Sequence, residues 1–460
     1  MGGCRATSSS QDWCGERLTE TPSKAKEILL KYRLCDRCLE RLLTAGNHRG
    51  RGAQIKARLL EEARATLQAS RDEALVLVKA LAESGYVPAQ AEALELGLQV
   101  EATFCPICLG RLTDEVIKTL VAESAKMVNG YEFEDFLVGA LIPKHLASIE
   151  ERIFSEFGLA ESETLRKEVT REVGSRLEVV LNRPVNFTSP EMLILVDIFT
   201  GTVEARPAPL YVFGHYFKRQ PNIPQTPWYC SSCWGAGCEK CGGLGRMYPD
   251  SVAEYIGEPS MRLAKAIGYK FHAAGREDVD VTVEEGGRPF IIELVMPRLR
   301  RISFDELKEA VRRSSDGRVE VDSLRLAARS DLDLLKESME SAVKRYRAVV
   351  RFERPIEGEA LKKLEATLRG AVIEQHTPRR VIKRRGDRLR RKRVALITSR
   401  LLDDFTVELN IEAEGGLYVK ELIHGDEGRT EPNVAEILNN SPLSINLKFL
   451  GVSKTIQHVK

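Results

Sequence analysis

The string Gly275-Arg276-Glu277-Asp278 sets an aspartate two positions after an arginine, just ahead of the strand-like run Val279 to Val283. A carboxylate at a strand mouth with a cation beside it can act as a nucleophile or as a base. Asp280 shares its face if the strand is regular. The plain alternative is the polar end of a hairpin. A sharper rival is a magnesium site, with Asp280 and Glu293 holding the ion of a nuclease. That pattern wants a lysine two residues after the glutamate, and the chain has Val295 there.

The second chemistry-bearing feature is sulfur. Eight of the ten cysteines stand in four C-x-x-C pairs: Cys35/Cys38, Cys105/Cys108, Cys230/Cys233 and Cys238/Cys241. Two such knuckles complete a tetrahedral thiolate site for zinc. Cys35 and Cys38 are expected to join Cys105 and Cys108 across a helical excursion. The other four lie in a glycine-rich segment whose four-residue gap is short for one site. Redox pairs or plain buried thiols are the competing readings, and four repeats outside a thioredoxin-like setting favour metal. Full thiolate ligation leaves no open position, so the expectation is one or two structural zinc ions, with no organic or nucleotide cofactor, since no phosphate-binding glycine motif occurs.

These residues must be positioned by a chain of 460 residues, 43% hydrophobic and 30% charged, which implies more than one folded domain. The net charge of +2 forbids a global polycation, so any nucleic-acid footprint is local. Apolar runs such as Met192 to Val196 are far too short to span a bilayer, and no secretory leader is evident; the reading is a cytoplasmic monomer. Residues 1–22 read as a disordered tail, and a change of texture sets the main boundary near residue 246, between 23–245 and 246–460. Met192 to Ala205 is a hairpin candidate around Phe199-Thr200-Gly201-Thr202. After Arg246, strand-like runs (Val279 to Val283, Phe290 to Val295, Tyr346 to Phe352, Val394 to Thr398, Thr406 to Ile411) alternate with helical ones. That texture predicts an α+β domain with a largely antiparallel mixed sheet.

Residues Arg379 to Arg393 hold ten Lys or Arg against one acid, Asp387, between two strand-like segments. The run reads as a hairpin or loop that grips phosphates, with Arg379, Arg380, Arg384 and Arg385 as contacts. Arg298, Arg300 and Arg301, and the loop Asn47 to Gly52, are further candidates.

At this point the string around Asp278 resembles the active-site motif of pseudouridine synthases. The longer pattern is similar to the archaeal and eukaryotic tRNA pseudouridine synthases with a THUMP-containing N-terminal region, which act on the TΨC arm. Further matches follow in order: Ile223-Pro224-Gln225-Thr226-Pro227-Trp228, Lys344-Arg345-Tyr346-Arg347-Ala348, Gln375-His376-Thr377-Pro378-Arg379-Arg380-Val381, and Tyr418 to Thr430. The chain departs from that pattern at Thr282, at Asn446-Leu447-Lys448 and at Lys218 to Asn222. The resemblance makes 23–245 a zinc-binding THUMP-containing RNA-binding region and 246–460 the catalytic domain. It implies that tRNA is the partner and that uridine 54, uridine 55 or both are isomerised. The N1–C1′ bond breaks, the base turns, and C5 joins C1′. It implies Asp278 as the catalytic carboxylate, Lys420 as its paired cation and Tyr346 as the stacking face. Arg276 contacts substrate, and Val419 and Leu447 are apolar pocket residues. A zinc-containing tRNA-binding protein without catalysis is the other reading; it would not need Asp278, Tyr346 and Lys420 together.

Overall fold

The computed structural model describes residues 22–43, 50–101, 103–382 and 386–453. The expected tail (save its last residue), Asn47 to Arg49, Arg384 and Arg385 lie outside the described residues. The chain forms two compact units, Met1–Ala208 and Pro209–Lys460. This division falls ahead of the composition break at residue 246, because a strand of the C-terminal sheet precedes the second set of cysteines. Among the described residues no helix is long and apolar enough to cross a membrane.

In the first unit, helices Arg51–Thr66 and Arg71–Glu83 place Leu59, Leu60 and Ala63, then Leu77, Val78 and Leu81, on buried faces at helical spacing. A three-stranded sheet follows, β1 (Phe136–Ala140), β2 (Met192–Val196) and β3 (Val203–Pro207). β2 pairs with β1 in parallel and with β3 antiparallel. Strict alternation of burial along β1 and β2 reflects period-two side chains over helix Leu165–Leu181. The β2–β3 turn is the expected hairpin; the Asp197 carboxylate accepts from the backbone N–H groups of Phe199 and Thr200 and closes it.

Among the described residues the second unit is built on ten strands. They are β4 (Leu210–Lys218), β5 (Gly268–Ala273), β6 (Thr282–Val295), β7 (Val319–Ala327), β8 (Val343–Phe352), β9 (Val372–Gln375), β10 (Arg390–Asp403), β11 (Thr406–Glu414), β12 (Thr430–Glu431) and β13 (Pro442–Ser453). Their order is β12-β9-β10-β11-β8-β13-β6-β4-β7, with β5 on β6. Every pairing is antiparallel except β6 with β13, where Thr282 and Val283 face Lys448 and Phe449. Helices Val252–Leu263, Phe304–Ser314 and Gly358–Leu368 cover the sheet, and Ser251 and Ser303 cap the first two by accepting from Glu254 N–H and Glu306 N–H. The core is β-branched and aromatic, including Val283, Phe290, Ile292, Val350 and Phe449.

One expectation fails locally. Of the run Val279 to Val283 only Thr282 and Val283 are strand, and Gly286 to Pro289 do not separate them from Phe290 to Val295: both belong to the single strand β6. Glu285 and Gly287, at φ 49° and 66°, bend that strand without ending it. Its first end pairs with β13 and, at Val283, with β4, and its second with β4 and β5, so one strand serves three neighbours.

Candidate active site and metal centres

Asp278 sits not on a strand but in the loop between β5 and β6, and Val279-Asp280 forms a turn closed by Val281 N–H donating to the Asp278 carbonyl. Asp280 therefore does not share a strand face with it. The loop is fastened from beneath by groups that sequence reasoning passed over. Glu277 and Arg288 are each 1% exposed at the side chain and lie 2.8 Å apart. Tyr216 donates its hydroxyl to the Glu277 carboxylate at 2.7 Å, and Gln225 donates to the Tyr216 hydroxyl and the Gly275 carbonyl, both at 2.8 Å. Lys218, fully buried, donates to the carbonyls of Ile223, Asp278 and Val279 at 3.0, 3.2 and 2.9 Å. Burial pushes the Lys218 ammonium down to about 8, against the pull of Glu277. One signal that could have found part of this set was present: Gln225 is a polar side chain among Ile223, Pro224, Pro227 and Trp228, where burial requires a partner.

Above this base lies an exposed ionic cluster. Arg380 donates to Asp278 Oδ1 at 2.8 Å and to Glu421 Oε1 at 2.6 Å; Glu421 is 1% exposed at the side chain, Asp278 35%. Lys420 pairs with Asp280 at 2.5 Å. The expected Lys420–Asp278 pair is thus replaced by two parallel pairs, Arg380–Asp278 and Lys420–Asp280. The reason is reach: Arg380 comes from the helical turn Arg379–Ile382 after β9, while Lys420 and Glu421 come from helix Val419–His424. Burial would raise the Asp280 carboxyl, but the Lys420 ammonium outweighs it and holds it below the usual carboxylate range.

Arg276, expected beside Asp278, instead lies 6.0 Å from the Trp228 ring. Tyr346, on β8, meets Phe449 edge to face at 5.5 Å, and the Arg288 guanidinium covers the same Phe449 at 3.9 Å. Burial raises the Tyr346 phenol to about 12, and the charges of Glu277 and Asp278 push it the same way, so the tyrosine is a neutral aromatic surface near the carboxylate. Val419 and Leu447, 4% and 5% exposed, belong to the core on which Tyr346 packs. Arg379 is held by Glu427 and by its own N–H on Asp426, and Arg390 lies 5.5 Å from the Tyr418 ring. The basic run is a β9–β10 hairpin with a long connection, Arg390 facing Gln375. Glu293, the second carboxylate of the nuclease reading, is engaged by Lys270 and His272 at 2.8 and 3.1 Å further along β6.

The cysteines gather as two tetrads, each with four sulfurs within 4.8 Å of one another. Cys35 Sγ and Cys108 Sγ are 3.6 Å apart; Cys230–Cys238, Cys233–Cys241 and Cys238–Cys241 are each 3.8 Å. A tetrahedral zinc with bonds of ~2.3 Å separates its sulfurs by roughly 3.8 Å, so both sets fit. In the second tetrad, N–H groups of Cys238 and Gly245 point at Cys241 Sγ at 3.2 Å. A Cβ at Gly237 would stand 2.6 Å from the Gly243 carbonyl oxygen, and one at Gly245 2.4 Å from that of Gly235. Both glycines have positive φ, so the knuckles close only because these positions lack a side chain. The four-residue gap is thereby long enough. Either tetrad could hold a metal ion and would use it as scaffold.

A mixed, mostly antiparallel sheet thus carries two partly exposed aspartates, Asp278 and Asp280, on one loop, each paired with a cation from another element. Comparison with known proteins gives the family. Residues 211–454 match the model described as Pus10, C-terminal, and residues 120–197 that of the Pus10 THUMP domain, archaeal. The chain is 37% identical to the tRNA pseudouridine synthase Pus10 of Thermofilum pendens, over 94% of this chain and 95% of that one. It is 37% identical to that of Methanocaldococcus jannaschii over 93% of each. The protein belongs to the Pus10 tRNA pseudouridine synthases, intramolecular isomerases that turn uridine into pseudouridine.

Proposed function

We propose that the chain modifies uridine in the TΨC arm of tRNA, at position 54, 55 or both, with Asp278 as the one catalytic carboxylate. The observation that carries this reading is the pair of adjacent acids. Glu277 is buried and neutralised by Arg288, and Asp278 is offered to solvent from the same rigid loop. Asp278 acts at the ribose, as nucleophile at C1′ or base at C2′, while the uracil turns in place. Arg380 holds the carboxylate in place in the free protein, and Lys420, paired with the neighbouring Asp280, is the second cation at hand once substrate enters. The target uridine must leave its stack to arrive. Tyr346 supplies the face that receives it, worth ~1–3 kcal/mol of stacking. Val419 and Leu447 supply the dry wall behind the base, while Arg276, Arg379, Arg380, Arg384 and Arg385 position the backbone. Both tetrads bind zinc as structural metal. Domain limits of 23–245 and 246–460 would be adjusted to a division near residue 208.

The test is an unmodified tRNA transcript incubated with the protein, followed by chemical mapping of pseudouridine. Product at 54 or 55 that disappears in Asp278→Asn is expected. Full activity in that variant, or product confined to another arm, would sink the assignment.

A further inference from the structure

Lys344 opens β8 two residues before Tyr346 and is 9% exposed. A lysine buried to that degree normally has a carboxylate partner. Here the charged groups around it are cations. A Cβ placed on Gly275, three residues before Asp278, would lie 2.9 Å from Lys344 Nζ and 3.1 Å from Arg288 Nη1. The two cations therefore converge on one point of the catalytic loop, and Gly275 is what leaves them room. Lys392, on β10, has its Cε 3.2 Å from the Cβ position of Gly416, and the adjoining Gly415 N–H donates to Ala342 two residues before Lys344, close enough for the Lys392 charge to act on Lys344. Arg288 is already matched by Glu277, so the excess positive charge belongs to Lys344 and Lys392. Burial first, then Arg288 and Lys392, lower the Lys344 ammonium to about 8, and no acid acts to restore it. Such an arrangement weakens the folded protein and persists in a site that receives an anion.

We propose that Lys344, together with Lys392, forms an anion subsite that takes one backbone phosphate of the substrate RNA beside the flipped nucleotide. The inference rests on the tRNA-modifying function. It adds a fixed phosphate anchor on β8, two residues from Tyr346 and against the loop that carries Asp278. A phosphate there receives charge-assisted hydrogen bonds from a side chain already immobilised, so little ordering entropy is lost. The residual exposure of Lys344 leaves a path for a ligand oxygen.

The experiment compares Lys344→Met, Lys344→Arg and Lys392→Ala in binding of an unmodified tRNA transcript across a salt series, with melting temperature and single-turnover rate measured on the same samples. Lys344→Met is expected to weaken binding about tenfold and to flatten the slope of log Kd against log salt by roughly 0.7–0.9, the release of one phosphate contact. Its melting temperature should hold or rise, because an unmatched buried cation has been removed. Lys392→Ala should flatten the slope likewise, and Lys344→Arg should retain most of the binding. A lowered melting temperature with an unchanged salt slope would make Lys344 a structural residue and overturn the proposal. An unchanged slope at full stability would overturn it too. Wild-type pseudouridine formation, followed in parallel, separates these outcomes from failure of the functional reading.

Discussion

Glu277 and Asp278 are neighbours in the chain and opposites in the structure. Glu277 is sealed, hydrogen-bonded by Tyr216 and matched by Arg288. Asp278 is one-third exposed and touched by an arginine from a distant hairpin. A buried pair fixes geometry because breaking it strands a charge; a half-exposed pair can exchange partners at low cost. The site thus divides its labour between a carboxylate that must not move and one that must be free to react.

Breaking the reactive half has the largest expected effect. Asp278→Asn should lower single-turnover pseudouridine formation by on the order of 10³-fold or more while leaving the melting temperature nearly unchanged. Breaking the fixed half reverses the signature. Glu277→Gln leaves Arg288 buried without its counter-charge and should cost about 3–5 kcal/mol in denaturant unfolding, with activity falling as the loop loosens. A variant that kept full stability would show that the pair is not the anchor. Arg380→Ala should sharpen the contrast. It frees Asp278 of its cation and also leaves Glu421, 1% exposed at the side chain, without one, so the single-turnover rate should fall while unfolding costs about 1–3 kcal/mol, less than for Glu277→Gln.

The smallest effect belongs to Asp280. Its carboxyl is held below its ordinary value by Lys420, so its contribution to stability is present above the unfolded-state pKa. That contribution is lost as pH falls through the lower folded value. Asp280→Asn should cost no more than ~1 kcal/mol at neutral pH and nothing in strong acid, read from unfolding midpoints across that range.

The element types, the hairpin at Phe199 to Thr202 and the mixed antiparallel sheet were legible in residue patterns, because alternation and helical spacing report burial directly. The pairing of charges was not. Lys420 carries the right charge, but which acid it meets depends on the turn at Val279-Asp280 and the reach of a hairpin, neither of which leaves a local trace. Arg380 stood among ten cations, and nothing in its flanks set it apart. Arg288 was hidden for another reason. The bend at Glu285 and Gly287 looks like the end of a strand, so a residue in its middle read as a connection. The cysteines, in contrast, were fully readable as types, and only the glycine-to-carbonyl approach explains why the short gap suffices.

β13 adds a consequence in time. It lies between β8 and β6, in the middle of the sheet, yet comes late in the chain. Tyr346 rests on its Phe449, and Thr282, at the head of the strand that follows Asp278, pairs with its Lys448. During synthesis, the strands bearing the carboxylate and the aromatic face emerge well before the strand that joins them. The nascent C-terminal unit must therefore wait with two open edges, which makes its folding slow and gives a chaperone a defined interval in which to act.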